Sequence, residues 1–269
     1  MPEEVNLYQT TYSHFEENVL QEIRKETYGE DIGQNSWTTA EEYLQFKNWL
    51  QINEQSHVLE VGCGSGGPAK YLSQISGCAV TGIDISADAI AQASASCAGN
   101  TKLSFRQTDG SVILPFASQT FDGLICIDAI NHLADRPGVF SEWGRVLKPG
   151  GRILFTDPVE IHNLISNEEL KIRSSIGYFV FPVPALNKRL LQEAGFKVQL
   201  MQEATENMAK VSLRWKQARE NRKEALLKTE DAANYEGLQK FLGMVNKLAA
   251  DGQLKRMIYV AIVDISNSK

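Results

Sequence analysis

The stretch Val58-Leu59-Glu60-Val61-Gly62-Cys63-Gly64-Ser65-Gly66-Gly67-Pro68 ends a short apolar run in an acid and passes at once into a glycine-dense turn. Ala69-Lys70-Tyr71-Leu72 then begins a helical pattern. Glycines at 62, 64 and 66 strip the Cβ atoms from one side of the turn, so a flat, polar ligand can lie against bare backbone. Pro68 suits a first helical turn, where its missing N–H costs nothing. The segment reads as the first strand–turn–helix of a nucleotide-type site at the C-terminal edge of a parallel sheet.

Working outward, strands and helices alternate. A strand near 56–61 and a helix to about 76 precede a strand at 79–83, with Asp84 at its tip. Ser86 can N-cap an Ala-rich helix to about 97. Strands follow at 103–108 and 121–127, then a helix at about 136–147, the turn Lys148-Pro149-Gly150-Gly151, and a strand at 152–156. This rhythm predicts an α/β fold with helices on both faces of a parallel sheet. Upstream, Tyr8, Tyr12, Phe15, Val19 and Ile23 recur at helical spacing and predict a helix over 8–27. Thr38 with Glu41, or Thr39 with Glu42, offers a capping box for a second helix. After Pro158 the rhythm breaks. Residues 159–183 end in the aromatic run Tyr178-Phe179-Val180-Phe181, which can cover a pocket. A helix near 185–194, a strand near 197–203, helical material over 204–250 and a last strand at 257–263 complete the chain.

The turn alone fits two ligands. Gly62, Gly64 and Gly67 satisfy the dinucleotide pattern, and Asp84 lies about 20 residues on, so a nicotinamide oxidoreductase stays open. Two further acids separate the readings: Glu60 inside the first strand end, and Asp109 of Gln107-Thr108-Asp109-Gly110 at the end of the third. Three acids on successive strand ends resemble the class I S-adenosylmethionine (SAM)-dependent methyltransferases. The resemblance implies a Rossmann-like, seven-stranded, mostly parallel sheet, its last strand antiparallel between the fifth and sixth. It divides the chain into an N-terminal helical cap (1–50), a SAM-binding core (51–204 and 251–269) with a lid-like insertion at 159–183, and a helical insertion over the acceptor site (205–250). It implies SAM as cofactor and S-adenosylhomocysteine as product. Asp84 would take the ribose hydroxyls and Asp109 the adenine amino group, with the backbone N–H of Gly110 or Ser111 serving a ring nitrogen and Ile85 the ring face. Glu60 would lie near the ammonium end, and Gly62, Gly64, Gly66 and Ile127 complete the cradle.

The run Asp128-Ala129-Ile130-Asn131-His132-Leu133 resembles small-molecule enzymes of the phosphoethanolamine and sarcosine/dimethylglycine type, whose plan tocopherol-type enzymes share. That resemblance implies His132 as general base with Tyr12 as its partner; Tyr8 competes for the second role. Histidine suits the task because it titrates near neutrality. Trp37, Asn131, Asp157, Tyr178, Phe179 and Trp215 are candidates for the acceptor wall, and Arg214 for an anionic group on the acceptor. Arg214 sits among seven basic and two acidic residues between Lys210 and Lys228, a pattern equally read as a solvated helix face. The expected reaction is methyl transfer to a small molecule, an amine nitrogen first. Oxygen or carbon of a phenolic or prenylated product, and a protein that binds SAM without catalysis, are the alternatives.

The bulk composition narrows the partners. At 269 residues the chain can bury one large core, and its 43% hydrophobic and 22% charged content is that of a globular protein. A net charge of −6 offers no field for nucleic acid or an anionic membrane. Met1-Pro2-Glu3-Glu4 shows no signal peptide, and no segment is long and apolar enough to span a bilayer. Cysteines 63, 78, 97 and 126 lack metal-ligand spacing, so no metal is expected and a cytoplasmic location fits. Cys63 reads as a small residue filling a tight turn. A monomer or homodimer is expected.

Overall fold

In the computed structural model, residues 11, 12 and 14–264 are described. Helices α1 (Asn18–Tyr28) and α2 (Ala40–Leu50) come first, Glu42 accepting from the Thr39 N–H at 3.1 Å where α2 begins. The chain then alternates through β1 (His57–Val61), α3 (Gly67–Ser76), β2 (Ala79–Asp84), α4 (Ala87–Ser96), β3 (Leu103–Gln107), β4 (Phe121–Ile127), α5 (Arg136–Val146) and β5 (Leu147–Ile161). A second half follows: α6 (Asn167–Arg173), α7 (Leu186–Glu193), β6 (Phe196–Glu203), α8 (Thr205–Glu220), α9 (Lys223–Leu226), α10 (Ala232–Ala250) and β7 (Leu254–Val263).

The seven strands form one sheet in the order β3-β2-β1-β4-β5-β7-β6. All pairings are parallel except those of β7, which is antiparallel to both neighbours. The strand order reverses between β1 and β4, and there the tips of adjacent strands part to leave a ligand crevice. One apolar layer packs α5 and α7 on one face, around Phe140, Trp143, Phe155 and Tyr259. The other face is covered by α2 and α3 through Tyr43, Phe46, Leu72 and Val80. A third cluster, with Trp37, Met208, Leu238 and Phe241, joins α8 and α10 to residues preceding α2 and stands above the strand tips.

Two local expectations are corrected. Described residues 14–17 form a turn, and α1 starts only at Asn18. The Arg24 guanidinium sits 3.9 Å over the Phe15 ring and donates to the Phe15 carbonyl at 2.9 Å, fastening the turn. Tyr12 is thereby separated from α1. The turn at 148–151 does not end a helix before a separate strand. It is a bulge inside β5, since Phe121 pairs with Leu147 and Gly123 with Arg152. The strand also runs on past Pro158 to Ile161, which moves Asp157 from the strand tip into its interior.

Candidate active site

The glycine turn after β1 is bent by positive φ at Gly62 (76°), Gly64 (52°) and Gly66 (77°), a backbone that side chains resist. Its register is held from β2. The N–H groups of Gly62 and Cys63 donate to the Ile83 carbonyl at 2.8 and 3.0 Å. One residue on, Asp84 Oδ2 accepts from the Gly64 N–H and its Oδ1 from the Ser86 N–H, each at 2.9 Å. Each oxygen retains a further lone pair, so the carboxylate is braced at one side and able to accept at the other. Burial raises its pKa against these bonds.

A cavity of about 350 Å³ opens beside this turn, within the range of small-molecule sites. Tyr12, Gly62, Asp84, Ile85, Asp109, Gly110, Ile127 and His132 all line it. Asp109 Oδ1 takes the Ser111 N–H and hydroxyl at 2.8 and 2.6 Å, which aims the turn after β3 at the cavity. A smaller hollow of about 40 Å³ adjoins it, lined by Tyr12, Tyr43, Glu60, Gly62 and Gly64. Glu60 is 3% exposed there, and its Oε2 has no hydrogen-bond partner among the described residues. Burial, then the charge of Asp84, pushes its pKa up to about 8. With no cation paired to it among the described residues, the folded group keeps its proton at neutral pH. Gly66 faces away, a Cβ there meeting Ala93 and Phe105 at 2.8 Å; it serves packing rather than the cavity wall.

Beyond His132 lies a third hollow of about 30 Å³ lined by Trp37, Asn131, Arg173, Phe179, Trp215 and Phe241. His132 borders both this hollow and the larger cavity. Its Nδ1 donates to the Tyr178 carbonyl at 2.8 Å, so Nε2 is the basic nitrogen. Its ring packs against Phe179 with centroids 4.5 Å apart. Burial lowers its pKa, the Tyr178 carbonyl opposes this, and the charge of Arg173 adds to the lowering. Asn131 is buried with its Oδ1 unpartnered among the described residues, and its carbonyl accepts from Val180 at 2.7 Å.

Several expected contributors are not brought together. Asp157 is fully buried, its Oδ2 accepting from Arg136 and, at 2.9 Å, from Asn187 while its Oδ1 has no partner among the described residues, and it lines none of these hollows. Arg214 is exposed, because Trp215 takes the inward face of α8 and the adjacent position then points outward. Four basic residues of this run are paired: Lys210 with Glu206 and Lys216 with Glu220 along α8, Arg219 with Glu230, and Arg222 with Glu22 and Glu26 of α1. Tyr178 is 64% exposed and contributes its backbone carbonyl, not its ring. Tyr8 lies outside the described residues. All four cysteines are buried and free, and burial raises the Cys63 thiol well above its usual value.

Sequence reading missed Arg173, which is 1% exposed with its guanidinium 4.6 Å over Phe179 and 5.1 Å from Phe241. It also missed Arg256, fully buried in β7. Arg256 donates to Asp128 Oδ1 at 2.9 Å, to Glu42 at 2.7 Å and to the Thr38 hydroxyl. Asp128 Oδ2 accepts from the Trp37 N–H at 2.8 Å, tying the segment before α2 to the end of β4.

A reversed strand order, a glycine bend braced by a strand-tip aspartate, and one antiparallel strand near the sheet edge define the Rossmann-like class of SAM-dependent methyltransferases. Residues 59–155 match the family model for a methyltransferase domain. Among curated relatives, phosphoethanolamine N-methyltransferase 1 of Triticum aestivum is 28% identical over 218 residues, 81% of this chain and 43% of the relative. An O-methyltransferase of Aspergillus sclerotiorum is 32% identical over 173 residues, 60% of this chain and 62% of the relative. The chain spans about half the length of the curated relatives it matches. A similar solved structure is Haemonchus contortus phosphoethanolamine N-methyltransferase 2 in complex with phosphomonomethylethanolamine and S-adenosylhomocysteine (TM-score 0.78, 20% identity). It covers 98% of this chain and 61% of that one. A cyclopropane synthase of Mycobacterium tuberculosis superposes with TM-score 0.81 at 14% identity, covering 96% and 99%. At these identities the likeness is one of fold.

Proposed function

We propose that this chain is an enzyme that transfers a methyl group from SAM to a small-molecule acceptor held between His132 and the Trp37–Trp215 wall, an amine nitrogen first. The single observation that carries the reading is Glu60: a buried carboxyl whose Oε2 has no partner among the described residues, two residues before Gly62, where the glycine bend that Asp84 braces at Gly64 begins. That arrangement fits a ligand with an ammonium at one end and a ribose diol beyond it. Glu60 would hold the ammonium, Gly62 and Gly64 would admit the chain of the ligand, Asp84 would accept from the diol, and Asp109, Gly110 and Ile85 would border the base.

When bound, SAM supplies a methyl group already activated on its sulfonium. What remains for the protein is to hold the acceptor about 3–3.5 Å from that carbon, with its lone pair aligned and unprotonated. Tyr12 and His132 line the same cavity, so the acceptor reaches the donor past His132. With Nδ1–H fixed on the Tyr178 carbonyl, His132 Nε2 can take the proton the acceptor loses. Its lowered pKa keeps the imidazole neutral and ready to accept near pH 7. The Trp37, Phe179, Trp215 and Phe241 rings exclude water and can face a cationic amine. Residues 205–250 serve as the cover over this acceptor side.

A second reading, methylation at a hydroxyl oxygen, is favoured by Arg173. A guanidinium on the acceptor side, close enough to lower the pKa of His132, would stabilise an oxyanion formed there. Calorimetry with S-adenosylhomocysteine tests the donor assignment; no binding to folded protein would overturn it. Product formation from SAM, screened over phosphorylated and carboxylated amines and over phenols, separates the two acceptor classes. The fold also fits the non-catalytic alternative, and turnover with any acceptor excludes that.

A further inference from the structure

The His132 ring is oriented by a backbone carbonyl, and that carbonyl belongs to a segment outside helix and strand, 178–182, held by the fold at several points. Val180 donates to the Asn131 carbonyl at 2.7 Å, and the Pro182 carbonyl accepts from Ile161 at 2.8 Å. The Val180 carbonyl accepts from Arg136 at 3.0 Å. Val180 is thus fastened at both its N–H and its C=O, two residues from the Tyr178 carbonyl that meets His132 Nδ1 at 2.8 Å.

Arg136 is built for a fixed purpose. It opens α5, is 2% exposed, and uses the two arms of one guanidinium for different partners. One arm reaches the Asp157 carboxylate and, at 2.6 Å, Asn187 Oδ1; the other reaches the Val180 carbonyl. Asn187 in turn donates to Asp157 at 2.9 Å. A strand, two helices and the 178–182 segment thus meet on one planar fork, a geometry an ammonium does not reproduce.

We propose that Arg136 is a positioning residue for His132: by clamping Val180 to Asp157 and Asn187 it fixes the Tyr178 carbonyl, which holds the imidazole as the Nδ1–H tautomer with Nε2 toward the cavity. The inference rests on the reading of His132 as the base for its catalytic meaning, though the clamp itself is a matter of tautomer and orientation.

Imidazole ¹⁵N chemical shifts test it without any acceptor. Wild-type protein should show His132 in the Nδ1–H form. Arg136→Lys keeps a positive charge for Asp157 but cannot also reach Val180 in the same geometry. It should lose the single-tautomer signature while S-adenosylhomocysteine affinity is retained. If lysine there prevents folding, the double variant Arg136→Met with Asp157→Leu decides. It removes the buried pair as a unit, which proteins tolerate better than an orphaned charge. Wild-type ¹⁵N shifts in a folded variant overturn the proposal. So does hydrogen exchange in the wild type showing the Val180 amide opening without any loss of the His132 tautomer. A wild-type turnover rate in His132→Ala would instead overturn the base assignment and leave the tautomer result standing.

Discussion

Arg256 in β7 and Asp128 at the end of β4 lie 2.9 Å apart, Nε to Oδ1, with neither side chain meaningfully exposed. Asp128 adopts a positive φ of 51°, a conformation aspartate tolerates better than most residues, as the chain leaves the strand. From there its carboxylate meets three elements. Thr156 of β5 donates at 2.6 Å, the Trp37 N–H at 2.8 Å, and Arg256 completes the set while also reaching Glu42 of α2. The network joins the sheet to the segment that carries Trp37, part of the lining of the hollow beside His132.

Removing the cation from this network leaves two buried carboxylates facing each other. Arg256→Met should therefore destabilise the fold by about 3–5 kcal/mol, the range for breaking a buried pair on one side. Urea unfolding of the two proteins under identical buffer checks it. A loss within the range of an exposed salt bridge would show that the network contributes little.

Asp84→Asn should leave the glycine bend close to its native shape, because the amide oxygen can still accept one backbone N–H. It should weaken binding of S-adenosylhomocysteine by at least ~10-fold, since a charge-assisted hydrogen bond contributes about 1.5–3 kcal/mol. Calorimetry reads the affinity, and circular dichroism confirms the fold. Undiminished affinity would mean the diol is held elsewhere.

Glu60 gives a pH signature with a definite sign. Its usual value is 4.5, and burial followed by Asp84 raises it to about 8 in the fold. Between those values the folded chain keeps a proton that the unfolded chain has released, so ligand-free stability falls as pH rises through that window. A ligand ammonium favours the ionised form, so donor affinity should rise over the same window. Glu60→Gln should flatten both trends, measured as the melting temperature and the dissociation constant of S-adenosylhomocysteine from pH 5 to about 9, where the native carboxyl is largely ionised. Parallel slopes in the two proteins would remove Glu60 from the ammonium end.

What the sequence disclosed was local. The bend from Gly62 to Gly66, the acids at 60, 84 and 109, and the antiparallel last strand all follow from period, spacing and resemblance. What it concealed depends on partners far along the chain. Arg256 and Glu42 are 214 residues apart, and nothing near either marks it as buried. Arg136 and Arg173 look like ordinary helix-terminal charges until the fold encloses them. Helical phase carried one unused signal: Val211, Trp215 and Ala218 form the inward stripe of α8, which already turns Arg214 toward solvent. Asp157 misled because β5 extends beyond the residues whose alternation marked it.

Two glycines of the same bend, facing different neighbours, should fail in different ways. A Cβ at Gly66 would lie 2.8 Å from Ala93 and Phe105, inside the packed layer, and the φ of 77° resists a side chain as well. Gly66→Ala should cost about 1–3 kcal/mol of stability by overpacking. At Gly64 the Cβ would lie 2.7 Å from the Tyr12 hydroxyl, the far end of a side chain that can move. Gly64→Ala should therefore lose less stability and more donor affinity. Denaturation midpoints and calorimetry on both variants make the comparison, and the reverse ranking would contradict the cavity assignment.

His132→Asn should lower turnover by about 10²–10⁴-fold, the usual contribution of a positioned base, with donor affinity unchanged. The pH profile carries a finer test. Burial lowers the imidazole pKa below 6.5, the Tyr178 carbonyl raises it, and the Arg173 charge lowers it further. With His132 as the proposed base, neutral imidazole is the form that accepts the proton, so turnover should fall on the acid side as the ring is protonated. Arg173→Met removes one cause of the lowering, so the acid limb should move to higher pH, toward 6.5, in single-turnover measurements that isolate the methyl-transfer step. A limb that stays in place, with turnover still dependent on His132, would separate Arg173 from the base and leave it a role in acceptor binding alone.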